Sequence, residues 1–125
     1  MESNLIKIVK ALSDENRLRI LNLLQYGDLC VCELEILLEI NQSNVSRHLN
    51  KLANVGILHY YKAAKYVYYN VNEEKTKEYP FIKQVLDSAY SELEHCQEDY
   101  KKLFSYKNKG YTCDDLKNGK VCFNS

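Results

Sequence analysis

The chain is short of the residues that break helices, and it carries no net charge. One proline and four glycines in 125 residues exclude a collagen-like or linker-dominated chain. They also disfavour a sandwich of many short strands, so helices are expected. No apolar run approaches the roughly 18–20 residues that span a bilayer. Met1-Glu2-Ser3-Asn4 offers neither a basic segment nor a long apolar one, so no secretory signal is read. A cytoplasmic location with no membrane partner is expected. There, the five cysteines are expected as free thiols or ligands rather than disulfides. The charge balance, 17 basic against 17 acidic groups, argues at face value against a nucleic-acid binder, which is usually basic. What remains is an ordinary globular mixture, 46% hydrophobic and 27% charged, at the length of one domain. Such a domain buries only about two thirds of its unfolded surface, so pairing with a second copy would bury more.

Periodicity predicts mainly α structure with one small β-hairpin. A short helix is read over residues 5–12. Ser13 is read as the N-cap of a second, carrying Leu18, Leu21 and Leu24 to about Tyr26, with Gly27 at its end. Asp28 is read as the start of a third, with Val31, Leu34, Leu37 and Leu38 on its apolar face, ending near Glu39. Asn41 caps a fourth over Gln42–Asn54. The two short helices joined by about three residues form a helix-turn-helix. Between Leu58 and Val71 the pattern becomes β-rich, predicting a hairpin with its tip at Ala63-Ala64. From Glu78 to Phe104 a single long helix is expected. Its apolar positions, Ile82, Leu86, Ala89, Leu93, Cys96, Tyr100 and Leu103, step by four and three residues. That heptad seam predicts a helix from another copy, hence a homodimer, unless the seam packs inside its own domain. Residues 106–125 read as a polar tail.

Two constellations carry chemistry. The Gln42–Asn54 helix turns Gln42, Ser43, Asn44, Ser46, Arg47, Asn50 and Lys51 outward. Asn and Gln suit adenine edges, Arg suits guanine, and a helix entering the major groove reads bases with its N-terminal residues. Lys62 and Lys65 stand near the hairpin tip, placed to grip phosphates. Residues 40–72 hold four basic groups and no acidic one, leaving 13 of the 17 basic and all 17 acidic groups to the rest of the chain. The neutral total is therefore the sum of two opposed parts, and the positive part coincides with this helix and hairpin. The second constellation is Cys30-Val31-Cys32. A helix N-terminus favours thiolates, which bind soft ions; the same pair would also pack as small buried residues. Residues i and i+2 on an ideal helix lie about 200° apart. Gripping one ion is thus expected to unwind the helix start.

Lys10-Ala11-Leu12-Ser13-Asp14-Glu15-Asn16-Arg17-Leu18-Arg19-Ile20-Leu21 resembles the opening of the ArsR/SmtB metalloregulators. So does Gln42-Ser43-Asn44-Val45-Ser46-Arg47-His48-Leu49-Asn50-Lys51-Leu52, followed by Gly56-Ile57-Leu58, and Val67-Tyr68-Tyr69 is similar to the returning strand of their wing. The resemblance spans roughly residues 5–105. It implies a winged helix-turn-helix domain over residues 1–105 with N- and C-terminal dimerisation helices, leaving 106–125 as a cysteine-containing tail. It further implies a homodimeric repressor on double-stranded operator DNA that dissociates when an inducer binds. DNA contacts are implied at Gln42, Ser43, Asn44, Ser46, Arg47 and His48, with Lys51 on the same helix, and wing contacts at Lys62 and Lys65. At the wing tip, Ala63-Ala64 replaces the glycine of many relatives.

Asp28-Leu29-Cys30-Val31-Cys32-Glu33-Leu34 resembles the arsenic-type site of that family. This implies arsenite or antimonite as inducer, with no resident cofactor required. Trivalent arsenic favours three sulfurs, and many relatives add a third cysteine just after the pair; here Glu35 and Ile36 stand there. Cys96 is the first candidate for the third ligand, with Cys113 and Cys122 as others, from the same subunit or from the other one. Two sulfurs alone would suit a methylated arsenical. The cadmium-type site needs cysteines in the N-terminal arm, and residues 1–29 have none. The zinc-type pattern fails at Asp87, which is followed by Ala89 where a histidine belongs, and His95 stands alone. An alternative reading makes the cysteines a redox or persulfide sensor on the same DNA-binding fold. A thiol enzyme is disfavoured by the lack of a phosphate loop and of Cys-x-x-Cys.

Overall fold

The computed structural model describes residues 2–112 and 115–116. Among the described residues, seven helices and three strands follow in the order α1 (Asn4–Leu12), α2 (Glu15–Leu24), β1 (Leu29–Cys30), α3 (Val31–Leu38), α4 (Gln42–Asn54), β2 (Leu58–Ala63), β3 (Tyr66–Val71), α5 (Glu73–Glu78), α6 (Phe81–Glu92) and α7 (Glu94–Asn108). No described helix is long and apolar enough to cross a membrane.

Local chemistry sets most boundaries. The N-cap of α2 is Asp14, whose carboxylate accepts from the Arg17 amide at 3.1 Å, and not Ser13. Ser13 closes α1 instead, its hydroxyl donating to the Lys10 carbonyl at 2.8 Å. The turn between α3 and α4 is the expected short one. Glu39 ends α3 in the left-handed region at φ 56°, and Asn41 caps α4 by accepting from the Asn44 amide at 2.9 Å. Gly56 turns the chain from α4 into β2 at φ 85°, where a Cβ would also lie 3.0 Å from Lys75 Cε. The positive φ is what favours glycine there, since the end of the Lys75 side chain can move aside.

The hairpin pairs β2 with β3 from Leu58↔Val71 to Ala63↔Tyr66. Its two-residue tip is Ala64-Lys65, one position later than expected, and Ala64 takes φ 55°. A third strand was not foreseen. Leu29 and Cys30 pair with Tyr69 and Tyr68, giving the antiparallel order β1-β3-β2. The expected helix start at Asp28 is therefore wrong by three residues: two residues carry no readable period, and their strand conformation comes from a partner about forty positions away.

The long C-terminal helix is also corrected. It breaks at Leu93, which is extended at φ −100° and ψ 112°. Gln97 Nε2 donates to the Tyr90 and Ser91 carbonyls at 3.0 and 3.3 Å, satisfying backbone acceptors that the break leaves open. The break turns both halves of the seam inward. Ile82, Leu86, Ala89, Cys96 and Leu103 are all buried in the single chain, α6 and α7 both packing on α2. The seam thus packs inside its own domain and no longer argues for a dimer. Tyr106, the first residue assigned to the tail, is completely buried.

Candidate nucleic-acid interface and thiol site

Along α4, Val45, Leu49 and Leu52 face the core. Gln42, Ser43, Arg47, Asn50 and Lys51 are exposed on the opposite side, with Asn44 and Ser46 half-buried beside them. Arg47 Nη2 donates to Asn44 Oδ1 at 3.3 Å, which lays the guanidinium along the helix. Lys62 and Lys65 are exposed on the hairpin.

His48 is the exception. It is 3% exposed, and its Nδ1 lies 3.2 Å from Arg17 Nη1. Arginine can only donate, so Nδ1 is the acceptor and the ring is neutral. Burial holds its pKa below the ordinary value, and the positive charges of Arg47, Arg17 and Lys51 add to that against the pull of Asp14. Arg17 also donates from Nε to the Ala11 carbonyl at 2.6 Å. The expected DNA contact at His48 is therefore corrected to a structural one, tying α4 to the end of α1 through Arg17. A histidine at that step of α4 falls between the buried and exposed arcs, which is why its spacing did not reveal this.

The two expected thiols meet, in a manner the helical reading did not foresee. Cys30 lies outside the helix as the N-cap of α3, in extended conformation at φ −92° and ψ 171°. Its Sγ is 3.3 Å from that of Cys32. The 200° argument applies only when both residues are helical, so no unwinding is required. Cys30 is buried and Cys32 half-buried. They open on a cleft of about 470 Å³ lined by Val31, Glu35, Gln42, Lys65, Tyr66 and Val67. Gln42 begins α4, and Lys65–Val67 lead down from the hairpin tip. The thiol pair, the start of α4 and the returning strand of the hairpin thus line one cleft.

Two residues missed by sequence reasoning fix this corner. Glu33 accepts from the Cys30 amide at 3.0 Å through Oε1, and its Oε2 accepts from the Tyr106 hydroxyl of α7. The signal for Glu33 was present, since an acidic residue three positions after an N-cap is the capping-box spacing. Tyr106 carried none.

Cys96 stands elsewhere. The α7 residue that meets Glu33 is Tyr106, ten residues and thus about 15 Å of helix away from Cys96. Cys96 packs instead near Asn22 Nδ2 at 3.8 Å. Burial, reinforced by Asp99, pushes its thiol up to about 11. Among the described residues no group of three His, Cys, Asp or Glu is placed to hold a metal ion. Cys113 and Cys122 lie outside the described residues. His95 pairs with Glu98 at 3.6 Å and Asp87 with Lys83 at 3.7 Å.

The far end of α3 is clamped as well. Arg19 is buried and donates to both Asp99 oxygens at 2.8 and 2.9 Å and to the Leu38 carbonyl at 3.0 Å. Lys102 and Glu39 pair alongside. Helix α7 therefore grips α3 at both ends.

A helix-turn-helix followed by a hairpin on the edge of a small antiparallel sheet is a winged helix-turn-helix. Residues 14–60 match the model for bacterial regulatory proteins of the arsR family. The chain is 40% identical over 85 residues to a cadmium resistance transcriptional regulatory protein CadC homolog of Staphylococcus aureus, covering 67% of this chain and 65% of that one. It is 43% identical over 68 residues to the arsenical resistance operon repressor of Escherichia coli K12, covering 54% and 58%. The crystal structure of the transcriptional regulator HlyU from Vibrio vulnificus superposes with a TM-score of 0.57 at 35% identity, covering 68% of this chain and 85% of that one. The chain spans less than two thirds of the length of these two curated relatives. The chain carries an ArsR-family domain over residues 14–60.

Proposed function

We propose that the protein is a homodimeric transcriptional repressor that holds operator DNA through α4 and the hairpin wing, and that releases it when trivalent arsenic binds Cys30 and Cys32. The observation that carries this reading is the shared cleft: the thiol pair, the first residue of the recognition helix and the wing line one cavity. An inducer bound there bears directly on Gln42 and on Lys65–Val67. It separates the start of α4 from the wing, and both must fit the same duplex. Typical couplings between two such sites are about 1–3 kcal/mol, or roughly 5–150-fold in affinity.

The two sulfurs, 3.3 Å apart, are close enough to bind one soft, thiolate-seeking centre together. On binding arsenite, two As–S bonds form and two waters leave, each carrying one thiol proton. The third position keeps its hydroxyl, or the methyl group of a methylated arsenical. The Escherichia coli relative, named for arsenical resistance, supports the choice, while the Staphylococcus aureus relative, named for cadmium, sets the competing ligand. For the dimer, the support is α1. Leu5, Ile6 and Val9 are 47%, 44% and 45% exposed on one face, while Ile8, Ala11 and Leu12 bury the other.

The test is release of a duplex selected by the protein from a randomised pool. Anisotropy is followed under strong reductant as arsenite, antimonite, a monomethyl trivalent arsenical or cadmium is added. The arsenic and antimony compounds release wild type, and a Cys30→Ser, Cys32→Ser variant keeps its DNA. The reading fails if that variant still releases DNA with arsenite as wild type does. Release only by oxidant or polysulfide would transfer the same cysteines to redox sensing.

A further inference from the structure

The recognition helix has two edges. At 100° per residue, Gln42 and Ser46 mark one and Asn44 and Lys51 the other. The wing, through Lys65, Tyr66 and Val67, flanks the Gln42 edge. Beside the Lys51 edge lies a shallow cleft of about 280 Å³, lined by Glu2, Lys7, Lys10, Ala11, Arg17, Lys51, Asn54 and Val55. Four of those side chains are cations and one is an anion. The cations come from three helices: Lys7 and Lys10 from α1, Arg17 from α2 and Lys51 from α4. Arg17 is spent on the Ala11 and Lys10 carbonyls and on His48. Lys7, Lys10 and Lys51 are exposed. Glu2 pairs with Lys10 in the cleft, a carboxylate in a place suited to a phosphate.

A helix seated in the major groove has a phosphodiester strand on each side, since the groove is only about 12 Å wide. The wing serves one strand. We propose that Lys7 and Lys10 of α1, with Lys51 of α4, form a phosphate clamp for the opposite strand, and that Glu2 occupies it until DNA arrives. The clamp rests on the reading of the protein as a DNA-binding regulator. It adds two contacts from a helix outside the recognition motif and makes α1 part of the DNA surface. Because Arg17 joins the end of α1 to His48 of α4, the clamp is fixed in register with the recognition helix.

The salt dependence of binding tests it. Each phosphate contact contributes about 0.9 to the slope of log affinity against log salt, independently of sequence, so a generic duplex of about thirty base pairs serves as probe. The Lys7→Ala, Lys10→Ala double variant of the full chain should lose about 1.8 from the slope per bound protomer. Between roughly 50 and 200 mM salt, wild type then loses about twelve-fold more affinity than the variant, per protomer. Glu2→Gln should tighten binding at low salt. Both substitutions are at exposed positions, and circular dichroism confirms that the fold persists. Arg47→Ala separates the two levels of the reading. Wild type that binds, with Arg47→Ala weakened but the double variant and Glu2→Gln unchanged, overturns the clamp alone. Wild type that ignores duplex DNA altogether overturns the DNA reading and the clamp with it.

Discussion

Replacing Tyr106 by Phe removes one oxygen atom from the contact that holds the thiol corner to α7. Tyr106 is 0% exposed and Glu33 is 5% exposed, so water cannot replace the hydroxyl at Glu33 Oε2. The ring keeps its volume and its contact with Tyr111, 6.2 Å away between centroids, so no cavity opens. The cost is therefore the hydrogen bond and the desolvation of an oxygen left behind, about 2 kcal/mol for a bond to a carboxylate. For a domain of this size that lowers Tm by roughly 8 °C. In denaturant the midpoint should fall with m unchanged, because the surface exposed on unfolding is the same. Tyr90→Phe is the control: Tyr90 is 39% exposed, and its loss should stay within about 0.5 kcal/mol. Glu33 also holds the Cys30 amide, so Tyr106→Phe should raise the arsenite concentration needed for half-release. A stability loss under about 0.5 kcal/mol would refute the buried bridge, and with it the claim that α7 grips the thiol corner.

Two further outcomes follow from single residues. His48 is neutral in the fold, with its pKa held below the ordinary 6.5 by burial and by neighbouring cations. Below that pH the unfolded chain takes up a proton that the folded chain refuses, so the stability from neutral His48 is complete above about 6.5 and declines as the pH falls further. His48→Gln should flatten that decline in urea midpoints measured from pH 7.5 to 5; an unchanged pH profile would show that His48 is solvated. At the wing tip, Ala64 has φ 55°, a region that costs a non-glycine residue about 1 kcal/mol. After the entropy that glycine adds to the unfolded chain, Ala64→Gly should raise stability by about 0.5 kcal/mol. A lower midpoint would contradict the left-handed tip.

Elements stabilised by their own side chains were readable in the sequence. The α3–turn–α4 unit was placed within a few residues because Asn41 caps α4 and Val45, Leu49 and Leu52 recur at helical spacing. The hairpin was placed because β-forming residues run from Leu58 to Val71. What failed was set by tertiary contact. Leu29-Cys30 is a strand only because Tyr68 and Tyr69 pair with it. The break at Leu93 has no proline or glycine to announce it. It exists because α6 and α7 bury more by folding onto α2 than by continuing straight, and Gln97 covers the exposed carbonyls. The heptad spacing was real, but its partner was the chain's own core.

With the seam in the core, the support for the proposed dimer comes from α1, the N-terminal of the two expected dimerisation helices. One side of α1 is consumed by the core, and the other presents Leu5, Ile6 and Val9 to solvent. The polar positions between them, Lys7 and Lys10, lie beside Lys51. A single nine-residue helix therefore has three duties: core packing, the proposed pairing face and the proposed phosphate clamp. The proposed pairing through α1 would fix the distance between two copies of α4, which on DNA would have to meet half-sites a whole number of helical turns apart. A change at Leu5 or Val9 that loosens the pair should weaken binding to a two-site duplex far more than to a single half-site. A change at Lys7 or Lys10 should weaken both equally. The neutral total charge is compatible with DNA binding because the positive groups sit on the two edges of α4, and the negative excess is carried by the rest of the chain.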